Sequence, residues 1–274
     1  MEKRELVRDM VVETREQLRR DGWAVNKEKD MNSPKGRSVS VKIRVHKDLR
    51  YASTPLNNNL PPSTNHSFRK TMDFITTVLG PDQDRHIDWL TIHPRTRSTP
   101  SSTPINLEAL ELLTSTFGDR VPILLSGDVF ALSTLPFTTP LLPPTFTTTT
   151  TTNPPSPSPT TAPTPQKTGP PLPKLAGLMT ARALLTNPAL YAGHDACPWS
   201  AVEAFLANAA RCPLPYKLVQ HHVGEMCGPG MGPDKGALLT KAQRGGLMGC
   251  GNMVDLVDFL EKVREGQGGL RRDG

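Results

Sequence analysis

Hydrophobic and polar positions alternate most plainly over residues 38–45, SVSVKIRV, where Val41, Ile43 and Val45 take turns with Lys42 and Arg44. A period of two predicts a β-strand with one apolar and one cationic face. Upstream, Leu6, Val7, Met10, Val11, Thr14 and Leu18 recur at helical spacing and predict a helix over 2–20, stopped at Gly22. Downstream, Phe68, Met72, Ile75 and Leu79 predict a helix ending at Gly80. Residues 88–93 read as a second strand, and Asn106 stands where it would cap a helix carrying Leu107, Leu110, Leu113 and Phe117. Residues 121–125 make a third strand; a fourth, 175–181, runs into a short helix from Arg182 to Leu185. Strands alternating with helices predict a parallel sheet built from βα units.

From Pro198 onward only the helical period remains. Val202, Phe205, Leu206 and Ala209 form one stripe, and Leu218, Val219, His222, Val223 and Met226 a second. Asn252 would cap a third helix with Met253, Leu256, Val257, Leu260 and Val263. The predicted fold class is therefore α/β, followed by a small all-helical domain over 198–265 and a tail, 266–274. The α/β part, 1–130 and 175–197, is interrupted. Thirteen of the 28 prolines lie between Pro136 and Pro173, around a run of threonines, with Lys167 as the one charge there. Such a tract buries too little apolar surface to offset its ordering entropy, so 131–174 is expected to be a disordered insertion. Residues 26–37 and 51–65 read as shorter flexible links.

Charge and cysteine usage narrow the setting. A net charge of +6 and a pI near 9.3 permit a polyanionic partner without requiring one. The first residues, MEKRELVRDM, lack the apolar stretch of a signal peptide, and no window approaches the roughly 20 apolar residues that span a bilayer. The four cysteines, Cys197, Cys212, Cys227 and Cys250, are far apart and form no metal-binding pair, and the adjacent His221 and His222 would splay apart on a helix. A soluble intracellular protein, cytoplasmic or nuclear and without a metal, is the expectation.

Four short motifs fall at the carboxyl ends of the predicted strands, where parallel barrels place their active sites. They are KIR (42–44), HPRTR (93–97), SGD (126–128) and TARALLTNP (180–188). Taken singly, each has an ordinary reading. Lys42 is either a solvated charge or a cation aimed at a bound anion. His93 could be a satisfied histidine, and Ser126, Gly127 and Asp128 are common turn residues. Arg182 is the most telling, because a cation at a helix start is unfavourable unless an anion sits beside it. Arg95 and Arg97 are candidates for RNA phosphate, or for plain surface.

In order and spacing these motifs resemble the tRNA-dihydrouridine synthases, specifically a small eukaryotic branch that reads KIRxHxDL, WxTxHGRT, PVIANGD and GVMxARGLLANPAMFAG. The corresponding stretches here are KIRVHKDL, WLTIHPRT, PILLSGD and AGLMTARALLTNPALYAG, and the resemblance extends from about Lys3 to Leu260, insertions excepted. It implies the carboxy-terminal half of a TIM (β/α)8 barrel that binds FMN, uses NADPH as reductant and reduces uridine to dihydrouridine in the D-loop of tRNA. It implies further that Lys42 meets the flavin ring, that His93 lies beside it, and that backbone amides of Ser126, Gly127 and Asp128, with those of Ala181 and Arg182, hold the flavin phosphate. Pro94, Ser126 and Ala183 depart from the family pattern, which has Gly, Asn and Gly at those places. The family's first four strands and its catalytic cysteine have no counterpart, since all four cysteines follow the last predicted strand. Two readings stay open: a truncated synthase that needs an amino-terminal barrel half, or a non-catalytic RNA-binding remnant. A different FMN barrel oxidoreductase is a third, against which the ARALLTNP segment and the helical domain argue.

Overall fold

Period-two alternation in β1 and short apolar runs elsewhere produce four short strands, β1 (Ser40–Arg44), β2 (Trp89–His93), β3 (Ile123–Ser126) and β4 (Leu175–Met179). They join in that order into one sheet, and every neighbouring pair is parallel. The computed structural model describes residues 3–25, 36–46, 66–141, 169–231 and 236–269, with the side chains of 66–69 and 268–269 excepted. The chain divides into two compact units, Met1–Asp128 with Pro136–Met179, and Val129–Leu135 with Thr180–Gly274.

In the first unit the strand register sorts residues onto two faces. Ile43, Leu90, Ile92, Ile123 and Leu125 are buried. They share a core with the apolar stripes of α1 (Arg4–Arg20), α2 (His66–Leu79) and α3 (Leu107–Phe117), which bury Val11, then Phe74, Ile75, Val78 and Leu79, then Leu110, Leu113 and Phe117. Asn106 caps α3 as expected, its side chain accepting from the Ala109 amide at 2.8 Å. On the other face, Lys42 pairs with Thr91, Arg44 with His93, and Thr91 with Leu124. There Ser40, Lys42 and Arg44 are exposed, and Trp89, His93, Leu124 and Met179 are half-buried. The parallel α/β sheet predicted from sequence is the one that forms.

Two details of this unit differ from expectation. On α1 the buried positions are Val11 and Arg15, while Leu6 and Met10 of the predicted stripe are exposed. The helix turns because a guanidinium claims the inward position: Arg15 donates from Nη2 to Asp88 Oδ2 at 3.0 Å, from Nη1 to the Val25 carbonyl at 2.8 Å and from Nε to the His86 carbonyl at 3.0 Å. The second concerns the Thr/Pro tract. Its centre, 142–168, lies outside the described residues, but both flanks of the expected insertion are structured. The Thr138 amide donates to the Pro170 carbonyl at 3.1 Å and the Leu172 amide to the Thr138 carbonyl at 2.8 Å, with Phe137 and Leu172 buried. The links expected at 26–37 and 51–65 also fall outside the described residues, except for Gly36 and Arg37, where Gly36 bridges to Ala24.

The second unit is helical: α4 (Arg182–Thr186), α5 (Trp199–Arg211), α6 (Tyr216–Met226), α7 (Lys241–Gly249) and α8 (Met253–Gly269). Val202, Val219, Val223, Met226, Leu247, Leu256 and Leu260 make its core. Asn252 starts α8 as predicted, accepting from the Val254 and Asp255 amides at 2.9 and 3.0 Å. The sequence reading missed α7, whose Gly-rich KAQRGGLMG hides the period. A capping box at Thr240 and Gln243 starts it all the same. On α6 Leu218 is exposed, and Gln220 occupies the core instead. Its Nε2 donates to the carbonyls of Leu247 and Cys250 at 2.9 and 3.0 Å, so it satisfies the carboxyl end of α7 that would otherwise be orphaned.

Candidate functional site

The carboxyl ends of β1, β2 and β3 carry the residues with chemical potential in the first unit. Because β1 alternates, Lys42 and Arg44 both project from the exposed face, and the register sets Arg44 beside His93. The Lys42 ammonium reaches Met179 Sδ at 3.5 Å, from the first strand to the fourth. Arg44 Nη1 donates to the Thr96 carbonyl at 3.0 Å, tying β1 to the loop after β2. Arg44 was not singled out as a site residue. Its position two after Lys42, hence on the same face, was the signal that could have found it.

His93 sits within this cationic group. Burial, followed by the charges of Arg44, Arg95 and Lys42, lowers its pKa to about 4, with Asp128 opposing. At neutral pH the imidazole is uncharged, free to act as a hydrogen-bond partner and not as a cation.

After β3 the chain turns sharply. Gly127 has φ of 111° and Asp128 has φ of 54°, so two successive residues occupy the positive-φ region. A side chain at Gly127 is doubly disfavoured, since its Cβ would also come within 3.0 Å of His93 Nε2. Asp128 adopts this rare conformation because its carboxylate is held on both oxygens. Oδ1 pairs with Arg95 Nη2, and Oδ2 accepts from the Ile105 amide at 2.9 Å.

That pairing corrects the expectation for Arg95. It does not face solvent or RNA: it is 6% exposed, and its Nε donates to the Thr103 carbonyl at 2.6 Å while Nη2 pairs with Asp128. Its charge is needed to neutralise a nearly buried carboxylate. Arg97, two residues on, is exposed.

Ala181 and Arg182 belong to the second unit. Both are exposed, Ala181 occupies the cap position of α4 without a side-chain cap bond, and the helix it opens is five residues long. Nearby, Thr180 and Tyr191 hydroxyls lie 2.8 Å apart, and the buried Asn187 donates to the His194 carbonyl at 2.7 Å. Cys197 and Cys227 are buried in this unit, and burial raises their thiols to about 11 and about 12. Among the described residues no cluster of three or more His, Cys, Asp or Glu could hold a metal, and no helix is long and apolar enough to cross a membrane.

The geometry defines a class first: an α/β protein with cations, a neutral histidine and a strained Gly-Asp turn gathered at the carboxyl edge of a parallel sheet. Known proteins show what it is similar to. The chain is similar to the tRNA-dihydrouridine(20a/20b) synthase of Saccharomyces cerevisiae, 34% identical over 184 residues that make up 66% of this chain and 40% of the yeast protein. It is similar also to the Schizosaccharomyces pombe tRNA-dihydrouridine(20a/20b) synthase, 27% identical over 68% of this chain and 47% of that protein. A human tRNA-dihydrouridine(20a/20b) synthase-like protein is 22% identical over 81% of this chain and 47% of its own length. No family model and no solved structure matches the chain. The chain is related to the tRNA-dihydrouridine synthases, as its motifs indicated, and it spans less than half the length of these relatives.

Proposed function

We propose that the chain is the carboxy-terminal portion of a flavin-dependent tRNA-dihydrouridine synthase, acting on the D-loop of tRNA with NADPH as reductant. The observation that carries this reading is the sheet face on which Lys42 and Arg44 stand exposed beside the neutral His93. Parallel sheets are ordinarily covered on both faces, so exposed cations on one of them fit a face that meets a ligand and further protein. The contact of Lys42 with Met179, first strand to fourth, is what a sheet curling toward a barrel would give, and supports a half-barrel.

The residues present suit FMN. Lys42 is free to place its charge against the electron-rich edge of the flavin ring, and the backbone of the Ser126–Asp128 turn, kept clear of side chains at Gly127, suits a phosphate. Ala181 and Arg182 are assigned to flavin phosphate by resemblance, and their exposure is compatible with that role. When bound, FMN supplies the hydride for the uracil ring. His93 offers a neutral hydrogen bond, and Lys42 holds positive charge near the ligand. The proton donor is not among the chain's own cysteines: the four lie between residues 197 and 250, and the two buried ones are held as thiols. A second polypeptide segment that covers the Lys42 face and brings the donor is required. General acid catalysis contributes roughly 10²–10⁴-fold, so this chain alone with NADPH, FMN and tRNA should form no measurable dihydrouridine.

Flavin fluorescence tests the assignment. FMN is expected to bind weakly and better than riboflavin, with Lys42→Ala and Arg182→Ala each weakening it and the second more. Riboflavin binding as well as FMN would refute the phosphate site. Turnover at a normal enzymatic rate by the chain alone would refute the need for a second segment.

A further inference from the structure

Arg95 is the best-connected cation at the site and has no part in the reading above. Its guanidinium reaches three partners from three places. Nε donates to the Thr103 carbonyl at 2.6 Å, Nη2 pairs with the Asp128 carboxylate, and Nη1 lies 3.4 Å from His93 Nε2. A guanidinium only donates, and does not lose its proton in proteins. The histidine nitrogen that faces Nη1 must therefore be the acceptor, which leaves the ring proton on Nδ1. The same edge of the ring lies against Gly127, where any Cβ would come within 3.0 Å of Nε2.

We infer that Arg95 is a positioning residue, which fixes His93 in its Nδ1–H tautomer and through Asp128 locks the turn that follows β3. One planar group thus sets both the hydrogen-bond polarity of the histidine and the backbone beside it. Nδ1–H becomes the donor available to whatever binds on the sheet face. That consequence rests on the ligand site proposed above, whereas the tautomer itself does not. The charged groups around His93 are Lys42 and Arg44 from β1, Arg95 from the loop after β2, and Asp128 from the turn after β3. Three are cations, so the imidazole is disfavoured as a fourth, and Asp128 offsets only part of their effect.

The test is a two-bond ¹H–¹⁵N correlation spectrum of the imidazoles in the ¹⁵N-labelled full chain, followed over pH. In the wild type His93 should show a protonated Nδ1 and an unprotonated Nε2, with a titration midpoint near 4. Arg95→Met should release the tautomer preference and raise the midpoint by about one pH unit or more, as loss of a neighbouring like charge does. Arg95→Lys keeps the charge but cannot span the three acceptors, so it should leave the midpoint low while losing the tautomer preference. Asp128→Asn removes the one opposing charge and should move the midpoint down. A structural role alone would not give these opposite signs. A wild-type His93 protonated on Nε2 overturns the inference without any variant, and so does an Arg95→Met spectrum with the tautomer unchanged. If FMN failed to bind while the wild-type spectrum came out as stated, the ligand site would fall and the positioning role would stand.

Discussion

Replacing Arg15 by Met should destabilise the first unit more than any surface change, and the structure sets the size of the effect. Arg15 is 4% exposed and Asp88 fully buried, and the pair links α1 to the starts of β1 and β2. Among the described residues, Asp88 Oδ2 accepts, besides Arg15, only the Val39 amide, at 2.7 Å, and Oδ1 has no partner. Removing the guanidinium therefore strands a buried carboxylate with one backbone donor, which costs about 3–5 kcal/mol. Asp88→Asn should cost less, about 1–3 kcal/mol, because an amide still accepts from Val39 and Arg15 keeps its bonds to the carbonyls of His86 and Val25. The double variant removes both charges, so its cost should fall short of the sum of the two.

The chain has two compact units, so a single melting curve does not isolate this effect. Amide exchange at Leu90, Ile92 and Leu125, on β2 and β3, reads the first unit directly. With each 1.4 kcal/mol worth a factor of ten, Arg15→Met should accelerate exchange roughly a hundredfold to several thousandfold. Acceleration of less than tenfold, or costs that add in the double variant, would show that the pair is not the buried, coupled interaction described.

Two further outcomes follow from the same kind of argument. Gly127→Ala should cost about 1–3 kcal/mol, because it places a side chain at φ of 111° and pushes against His93, and it should abolish whatever FMN binding the wild type shows; unchanged affinity and exchange rates would contradict the description of the turn. With a thiol reagent at pH 8, the exposed Cys212 should react quickly, whereas Cys197 and Cys227, held as thiols at about 11 and about 12, should react only after unfolding; rapid labelling of either buried residue would show that the helical core opens readily.

The parallel sheet was legible because βα alternation leaves a strong mark: strand spans differ from the structure by a few residues at most, and Asn106 and Asn252 cap the helices they were expected to cap. Failures came where a polar side chain does the work of an apolar one. A period read from hydrophobic residues cannot see Arg15 or Gln220 turning inward, so it placed Leu6, Met10 and Leu218 in cores from which they are absent. Nor does composition reveal α7, whose first-turn signal is a Thr and a Gln three apart ahead of a glycine-rich run. The candidate site was read from sequence mainly as ordered motifs. Which members of a motif face a ligand and which hold their neighbours is decided by pairing across the sheet, which no local window contains.

Arg95 and Arg97 illustrate the point at a distance of two residues. Sequence gives them equal standing as candidates for a polyanion, but Arg95 is closed into an ion pair with Asp128 and only Arg97 remains exposed. A buried pair contributes little to the long-range field that would steer a polyanion, so the net charge of +6 matters through its placement. On the sheet face that placement is Lys42 and Arg44, with His93 kept neutral between them and the Arg95–Asp128 pair. An anionic ligand on this face would thus meet two exposed cations against a self-neutralised floor. Affinity from the cations should be screened by salt, whereas the geometry of the floor should not, and the two contributions can be separated by titrating FMN at low and high ionic strength.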